Sequence, residues 1–276
     1  MFDYTLCNEL LAAEGLDLAS QARVAHTLGY MGLELAPDTL GDAPHRIGRA
    51  EADRIRGQIE AEDVQITGLH WLISGYPEAS ITNPARWPET QGILIGLIDL
   101  CAWLGGRVLV HGSPKQRRRP VGLDDAALIP HLADFFAPVA EHAARLGVTY
   151  CIEPLSRAET DVITSVEEGA ALVETVGSPA FRTMIDISAA GQMEPPVADL
   201  IRTWVPTGLI GHIHANDTNR GAPGMGDDPF PEIWAALRDV NWRYPVGVEP
   251  FRTLIDAKVT AATGIATLRA CERALA

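Results

Sequence analysis

The chain alternates between two kinds of segment from end to end, and this alternation limits the folds that it can adopt. Short apolar runs rich in β-branched residues, typical of buried strands, are each followed by a longer segment with apolar residues at helical spacing. Eight strands are predicted, at residues 2–8, 31–37, 64–71, 107–114, 148–153, 182–187, 209–215 and 246–250. A helical segment follows each strand, at residues 17–30, 46–62, 84–104, 124–146, 165–176, 195–205, 230–239 and 254–274.

Eight consecutive strand–helix units favour a closed (β/α)8 barrel, the α/β fold known as the TIM barrel. The chain has 276 residues and is 47% hydrophobic, which suits one well-buried domain of this type. We therefore predict a single TIM-barrel domain over residues 1–276. A doubly wound open sheet is the alternative, and it usually carries a glycine-rich phosphate loop after its first strand. Residues 7–15, CNELLAAEG, contain no such loop.

Composition excludes several classes of partner. The net charge of −14 and the pI of about 4.9 describe a surface that repels nucleic acid and anionic lipid. No apolar run approaches the roughly 20 residues that cross a bilayer, and the first residues carry no basic-then-apolar signal. Four scattered cysteines without a CxxC pair indicate free thiols in a reducing compartment. The expectation is a cytoplasmic protein that acts on a small molecule and binds neither nucleic acid nor membrane.

Four of the predicted strands end in a side chain that can bind a metal ion: Glu153, Asp186, His214 and Glu249. The carboxyl ends of barrel strands converge on one mouth, so these residues predict a divalent metal site there. Since side chains alternate along a strand, His212 points the same way as His214 but one layer deeper. Three carboxylates and one imidazole suit Mn²⁺, Mg²⁺ or Co²⁺, and Zn²⁺ is also possible. One strand-end Glu is commonly a salt-bridge partner, but four such residues on consecutive strands favour a site.

These residues resemble the xylose-isomerase-like superfamily of TIM barrels, which includes sugar isomerases, sugar-phosphate isomerases or epimerases, and ketose 3-epimerases. The resemblance is carried by Glu153-Pro154-Leu155-Ser156-Arg157, by Asp186, by the run with His212, His214, Asn219 and Arg220, and by Glu249-Pro250-Phe251. It implies that Glu153, Asp186, His214 and Glu249 bind one divalent ion, usually Mn²⁺, and that Glu153 and Glu249 are the acid/base pair. By the same match, Glu159 and Arg220 would contact the substrate.

The resemblance implies a metal-dependent isomerase or epimerase of a sugar, keto-sugar or sugar-phosphate-like substrate. The reaction would abstract a proton next to a carbonyl and pass through a metal-stabilised enediolate. The family's ketose 3-epimerases carry a His three residues after the strand-six Asp, where this chain has Ala189, so the substrate stays open. A lyase on the same fold, either a dehydratase or a deglycosidase of oxidised C-glycosides, would use the same base and metal. A non-catalytic sugar-binding or partner subunit is a further alternative, while the acidic charge argues against the related DNA-repair endonucleases.

Three further residues near the predicted mouth could contact a substrate. His70 and His111 end the third and fourth strands and are predicted to face the pocket, either as contacts to substrate hydroxyls or as structural residues. Glu34 lies on the second strand and is predicted to point inward, where it would contact sugar hydroxyls or form a buried ion pair.

Two loops at the same mouth add predictions of their own. Lys115 and Arg117 belong to the basic run at 115–119, which could bind a phosphate or carboxylate of the substrate, contact a neighbouring subunit or order the loop. The stretch at 220–229 is rich in Gly and Pro and is predicted to form a shaped loop over the metal. Barrels of this kind are commonly homodimers or homotetramers, although no residue here identifies an interface.

Overall fold

In a computed structural model that describes residues 1–275, the chain forms a closed barrel of eight parallel strands. The strands are Tyr4–Cys7 (β1), Gly32–Leu35 (β2), Gln65–Leu69 (β3), Val108–His111 (β4), Thr149–Ile152 (β5), Phe181–Asp186 (β6), Ile210–Ala215 (β7) and Val246–Val248 (β8). Each strand pairs with the next along the chain, and β8 pairs with β1, so the sheet has no free edge. The predicted TIM barrel is confirmed and the open sheet was the wrong alternative.

Helices cover the outside of the barrel. They are Glu9–Ala13 (α1), Leu18–Leu28 (α2), Arg49–Glu60 (α3), Trp87–Leu104 (α4), Asp125–Leu146 (α5), Val166–Val176 (α6), Ile187–Gly191 (α7), Val197–Trp204 (α8), Phe230–Asp239 (α9) and Ala257–Leu275 (α10). Eight of them match the predicted helices to within a few residues. The five-residue helices α1 and α7 were not predicted, because five residues are too short to show helical periodicity.

Local signals fix where the helices begin and end. The Ser165 hydroxyl accepts a hydrogen bond from the backbone N–H of Glu168 at 3.2 Å and so caps the start of α6. The Glu168 carboxylate accepts in turn from the backbone N–H of Thr164 at 2.6 Å. In a regular capping box its partner is the N–H of the capping residue itself, here Ser165. At the other end of a helix, Gly105 adopts a φ of +87° and closes α4.

Two apolar cores stabilise the barrel. A large cluster fills the space between the strands and the helices, where neighbouring strand residues such as Leu33 and Leu35 are fully buried. A smaller cluster inside the barrel is formed by Val108, Val110, Cys151 and Met184. Alternation along each strand therefore sends one set of side chains to the helices and the other to the barrel axis.

A β-bulge sets the direction of the two histidines of β7. Thr183 of β6 pairs with Ile210, but the next residue, Met184, pairs with His212, so Gly211 is an extra residue in β7. The extra residue restarts the alternation, and both His212 and His214 then point to the barrel axis.

The four cysteines, Cys7, Cys101, Cys151 and Cys271, are buried free thiols, as their scattered positions predicted. None of the helices within residues 1–275 combines the length and the apolar character that a membrane span needs.

Candidate metal centre

The structure brings the four predicted ligands together at the carboxyl end of the barrel. Glu153 directly follows β5, Asp186 ends β6, His214 lies in β7 and Glu249 directly follows β8. One ligand atom from each of these residues lies within 4.8 Å of the others, and all four residues are buried. Four neighbouring strands thus deliver three carboxylates and one imidazole to a single point on the barrel axis.

Hydrogen bonds hold the imidazole of His214 at both nitrogens. Its Nδ1 lies 2.9 Å from Oε2 of Glu249, and its Nε2 lies 2.9 Å from Oε1 of Glu34. Glu34 is an acceptor when ionised, so it favours the tautomer that carries the hydrogen on Nε2. When a cation replaces the proton on Nδ1, that tautomer leaves the lone pair of Nδ1 directed at the carboxylate cluster, which is the arrangement that a metal ligand requires.

Asn216 holds two of the ligands, and sequence reasoning missed it. Its Nδ2 donates to Oδ2 of Asp186 at 2.7 Å and to the backbone carbonyl of Glu249 at 3.2 Å. Its Oδ1 accepts from the backbone N–H of Ser188 at 2.8 Å. Alternation could have identified this residue, because it lies two positions after His214 and so continues the same inward-facing row.

The carboxylates of the centre are crowded and withdrawn from water. Burial, together with the negative charge of Glu249, raises the pKa of Asp186 to about 7. Burial and the charges of Glu249 and Asp186 raise the pKa of Glu153 well above its usual range. Burial lowers the pKa of His214, but the charges of Glu249 and Glu34 outweigh it and raise that pKa well above the usual value.

These residues fit a divalent cation. Oε1 of Glu249 is buried and finds no hydrogen-bond partner in the chain from residue 1 to 275. A buried carboxylate oxygen without a partner is costly, and a cation would satisfy it. The same cation would remove the repulsion that raises the pKa values of Glu153 and Asp186, and oxygen-rich ligands with one imidazole suit a hard to borderline ion.

Glu34 and His212 form the layer directly beneath the centre. The two oxygens of Glu34 accept from Nε2 of His212 at 3.0 Å and from Nε2 of His214 at 2.9 Å. Burial alone would raise the pKa of the Glu34 carboxyl, but the adjacent His212 and His214 hold it well below its usual range. Glu34 was predicted to point inward, and it does. The buried ion pair, rather than contact with a sugar, is the alternative that these bonds support.

His70 faces the mouth, whereas His111 does not. Nε2 of His70 lies 2.9 Å from Oε2 of Glu9, and its ring lies edge-on to His214 with centroids 6.2 Å apart. His111 instead bonds the hydroxyl of Tyr150 at 2.5 Å and packs against Phe136 of α5. The prediction that His111 faces the pocket was wrong. Val108 and Val110 take the inward positions of β4, so alternation turns His111 towards the helices.

The residues of the basic run at 115–119 differ in how far they are buried. Lys115 is exposed, while Arg117 is fully buried. The guanidinium of Arg117 donates to the backbone carbonyl of Glu153 at 2.8 Å, to that of His111 at 2.6 Å, and to that of Gly112. Arg117 therefore fixes the ends of β4 and β5. Loop ordering, one of the alternatives left open above, describes it better than direct contact with a substrate anion.

Aromatic and charged side chains form one wall of the mouth. The rings of Trp71 and Phe251 stack with centroids 5.9 Å apart and an interplanar angle of 14°. The guanidinium carbon of Arg220 lies 4.2 Å from the centroid of Phe251, and Arg220 forms an ion pair with Glu159 at 2.8 Å. Glu159 and Arg220, which were predicted to contact substrate, thus lie side by side, and Trp71 and Phe251 join them in one wall.

The loop after β7 is organised around one carboxylate. Asp217 accepts hydrogen bonds from the backbone N–H groups of Gly224 at 3.0 Å, Gly226 at 2.8 Å and Asp228 at 3.3 Å. The Gly/Pro-rich stretch is therefore a shaped loop, as predicted. Its N-terminal residue, Arg220, is the one that joins the wall of the mouth.

The fold and the site together define a TIM-barrel protein with a candidate metal centre at the carboxyl ends of its strands. The model of one family, the xylose isomerase-like TIM barrel, matches residues 22–271. The chain belongs to this family, as the resemblance in the sequence predicted.

Several relatives of this chain are known by name. A D-psicose 3-epimerase of Agrobacterium fabrum is 41% identical over 113 residues, which is 41% of this chain and 38% of that protein. An L-ribulose 3-epimerase of a Methylomonas species is 26% identical over 196 residues, which is 68% of this chain and 65% of that protein. The aligned regions thus span about two fifths to two thirds of these relatives' own lengths. A solved structure of an L-ribulose 3-epimerase superimposes with a TM-score of 0.80 over 100% of this chain and 97% of the other, at 19% identity.

Proposed function

We propose that the protein is a divalent-metal-dependent isomerase or epimerase of a keto-sugar. The observation that carries the proposal is the convergence of Glu153 and Glu249 with Asp186 and His214, whose ligand atoms lie within 4.8 Å of one another. The relatives named D-psicose and L-ribulose 3-epimerases support the same class of reaction.

Glu153, Asp186, His214 and Glu249 would hold the ion, with His214 contributing Nδ1. When bound, a divalent ion supplies polarisation of the substrate's carbonyl and hydroxyl oxygens and stabilises the negative charge of an enediolate. Mn²⁺ is the proposed ion, since three carboxylates and one imidazole suit it, and Mg²⁺, Co²⁺ and Zn²⁺ are the alternatives to test.

The two glutamates act as base and acid in the proposed proton transfer. One carboxylate removes the proton from the carbon next to the carbonyl, and the other returns a proton to the opposite face of that carbon. Each glutamate needs a fixed backbone. The Glu153 carbonyl is held by Arg117 at 2.8 Å and the Glu249 carbonyl by Asn216 at 3.2 Å. Arg117 and Asn216 are therefore positioning residues for the acid/base pair.

The proposed substrate lies between the metal centre and the wall of Trp71 and Phe251, whose aromatic surface suits the apolar side of a sugar. Glu159 and Arg220 would bind substrate hydroxyls. His70 would do the same, because its Nδ1 is buried and has no hydrogen-bond partner within residues 1–275. Ala189 offers no side-chain hydrogen bond, so we do not extend the proposal to one particular ketose. A phosphate on the substrate would meet Lys115, which is an exposed cation of its loop.

The test is a screen of ketoses and ketose phosphates with the protein loaded with Mn²⁺ and, in parallel, treated with a chelator. Reactions in D₂O report proton exchange at the carbon next to the carbonyl, and identification of the products separates epimerisation from dehydration or deglycosylation. We expect an epimer that carries deuterium, and we expect the chelator to remove the activity.

Glu153→Gln and Glu249→Gln supply the test of the acid/base roles, with Glu167→Gln on the exposed first turn of α6 as the matched control. We expect each site variant to lose at least about 10²-fold in kcat while the control retains full activity. Full activity in either site variant, or equal turnover with and without chelator, would contradict the proposal. Failure of the purified chain to bind any divalent ion would favour a non-catalytic sugar-binding protein.

A further inference from the structure

A second cavity lies at the opposite end of the barrel from the metal centre. It has a volume of about 890 Å³ and is lined by residues at the amino-terminal ends of the strands. Its inner end reaches His212 inside the barrel, and its outer part is formed by residues of the loop between α9 and β8. We call it the basal cavity.

The charge of the basal cavity is opposite to that of the protein. Arg107, Arg182 and Arg243 line it, and its lining within the described residues includes no Asp or Glu. The chain as a whole carries 36 acidic and 22 basic residues, so a cavity with three arginines and no carboxylate is unusual for its surface. Such a cavity attracts anions and concentrates them from solution.

The three arginines have little to bind within the protein. No ion pair in the described part of the chain involves Arg107, Arg182 or Arg243. Arg182 is half-buried, and its Nη1 donates to the backbone carbonyls of Ser178 at 3.1 Å and Phe181 at 2.8 Å. These two bonds hold Arg182 at the cavity wall and leave its remaining N–H groups available.

A buried donor without a partner lies in the same wall. Trp242 is 6% exposed and lines the cavity, and its indole N–H finds no acceptor between residues 1 and 275. Buried indole N–H groups usually have a partner, because leaving one unpaired costs free energy. The ring of Trp242 lies against that of Tyr244, with centroids 5.2 Å apart, so the donor is accompanied by an aromatic surface.

From these observations we infer that the basal cavity is a binding site for a phosphate group, separate from the metal centre. The arginines would bind the phosphate oxygens, and the Trp242 N–H would supply a further hydrogen bond. The phosphate could come from a free inorganic anion or from an organic phosphate whose remainder packs on Trp242 and Tyr244. This site does not depend on the proposed reaction.

Titration calorimetry of the full chain with inorganic pyrophosphate and with ADP tests the inference and distinguishes the two sources. We expect saturable binding that weakens as NaCl is added, since salt screens exposed arginines. Tighter binding of ADP than of pyrophosphate would identify an organic phosphate, and equal binding would identify the inorganic anion.

Substitutions test whether the anion binds in the basal cavity. Arg182→Gln and Arg243→Gln each remove a charge-assisted contact, so each is expected to weaken binding about tenfold. Arg145→Gln is the control, because Arg145 is an exposed arginine at the end of α5 that pairs with Glu141 outside the cavity. Trp242→Phe removes the unpaired N–H and should weaken binding; because it also removes part of a buried ring, its free energy of unfolding is measured beside its affinity.

The inference would be overturned by the absence of saturable binding, or by binding that survives in both arginine variants, which would place the anion outside the basal cavity. An equal loss of affinity in Arg145→Gln would show non-specific attraction instead. Urea unfolding of each variant shows whether a lost affinity reflects a lost fold.

Discussion

Replacing Gly247 by alanine should disturb the candidate metal centre through the two histidines of β7. Gly247 lies in β8 and faces the two histidines of β7. A Cβ at this position would lie 2.7 Å from Cδ2 and 3.1 Å from Nε2 of His214, and 3.2 Å from Nε2 of His212. Ordinary contacts to such an atom begin at 3.4 Å, so the His214 ring would have to move by about 0.7 Å, the difference between 3.4 and 2.7 Å.

The magnitude follows from the burial of these rings. Overpacking a buried position costs about 1–3 kcal/mol, and the smaller entropy of the unfolded alanine variant offsets about 0.4–1 kcal/mol of it. We therefore expect the free energy of unfolding to fall by about 1–2 kcal/mol. Metal–ligand distances tolerate errors of about 0.2 Å, so the displaced ring should also weaken Mn²⁺ binding by about 10–100-fold.

Urea unfolding and calorimetric titration with Mn²⁺ measure the two effects. Gly57→Ala in α3 is the matched control, because a Cβ there meets nothing within 4 Å and should stabilise the helix by about 0.5–1 kcal/mol. A Gly247→Ala protein that unfolds and binds Mn²⁺ like the wild type would refute the reasoning, since His214 could then not be both closely packed and a ligand.

Three further predictions concern residues around the centre. Asn216→Ala removes the donor to Asp186 and should lower the free energy of unfolding by about 1–3 kcal/mol, measured in urea, and weaken Mn²⁺ about tenfold by titration; wild-type affinity would show that Asn216 does not position a ligand. Glu34→Gln alters the acceptor for Nε2 of His214 and should weaken Mn²⁺ about 10–100-fold in the same titration, and an unchanged affinity would contradict its supporting role. Adding Mn²⁺ at about 100 times its Kd should raise the free energy of unfolding by about 2.7 kcal/mol, and a chelator should reverse the gain; a midpoint that does not respond to metal would exclude binding to the folded state.

The convergence of the four candidate ligands could be predicted from the sequence because two regularities act together. A parallel barrel gathers the carboxyl ends of its strands at one mouth, and Glu153, Asp186, His214 and Glu249 each mark such an end. Both the alternation of strands and helices and the position of a residue at a strand end can be recognised within a short segment of sequence. Glu34 could be placed on the inner face for the same reason, although alternation alone does not choose between a substrate and His212 as its partner.

The errors arose where a side chain's direction depends on tertiary contacts. The strand Val108–His111 is apolar up to its last residue, so its pattern does not reveal which face is inward, and His111 was assigned to the wrong one. Arg117 lies in a run of charged residues, a pattern typical of solvated surface. It is nevertheless fully buried, and its guanidinium donates to three backbone carbonyl groups. The bulge at Gly211 depends on its pairing with β6, which the sequence of β7 alone does not show.

The layer formed by Glu34 and His212 is shared by the two ends of the barrel. His212 lines the basal cavity and bonds Glu34 at 3.0 Å, and Glu34 bonds His214, the proposed metal ligand, at 2.9 Å. Two hydrogen bonds therefore connect the two mouths along the axis, through an interior in which charges are poorly screened. An anion at the base repels the carboxylates above it, and a cation among those carboxylates attracts the anion. If both ends bind as proposed, their occupancy is thermodynamically linked, and each ligand strengthens the binding of the other by the same factor.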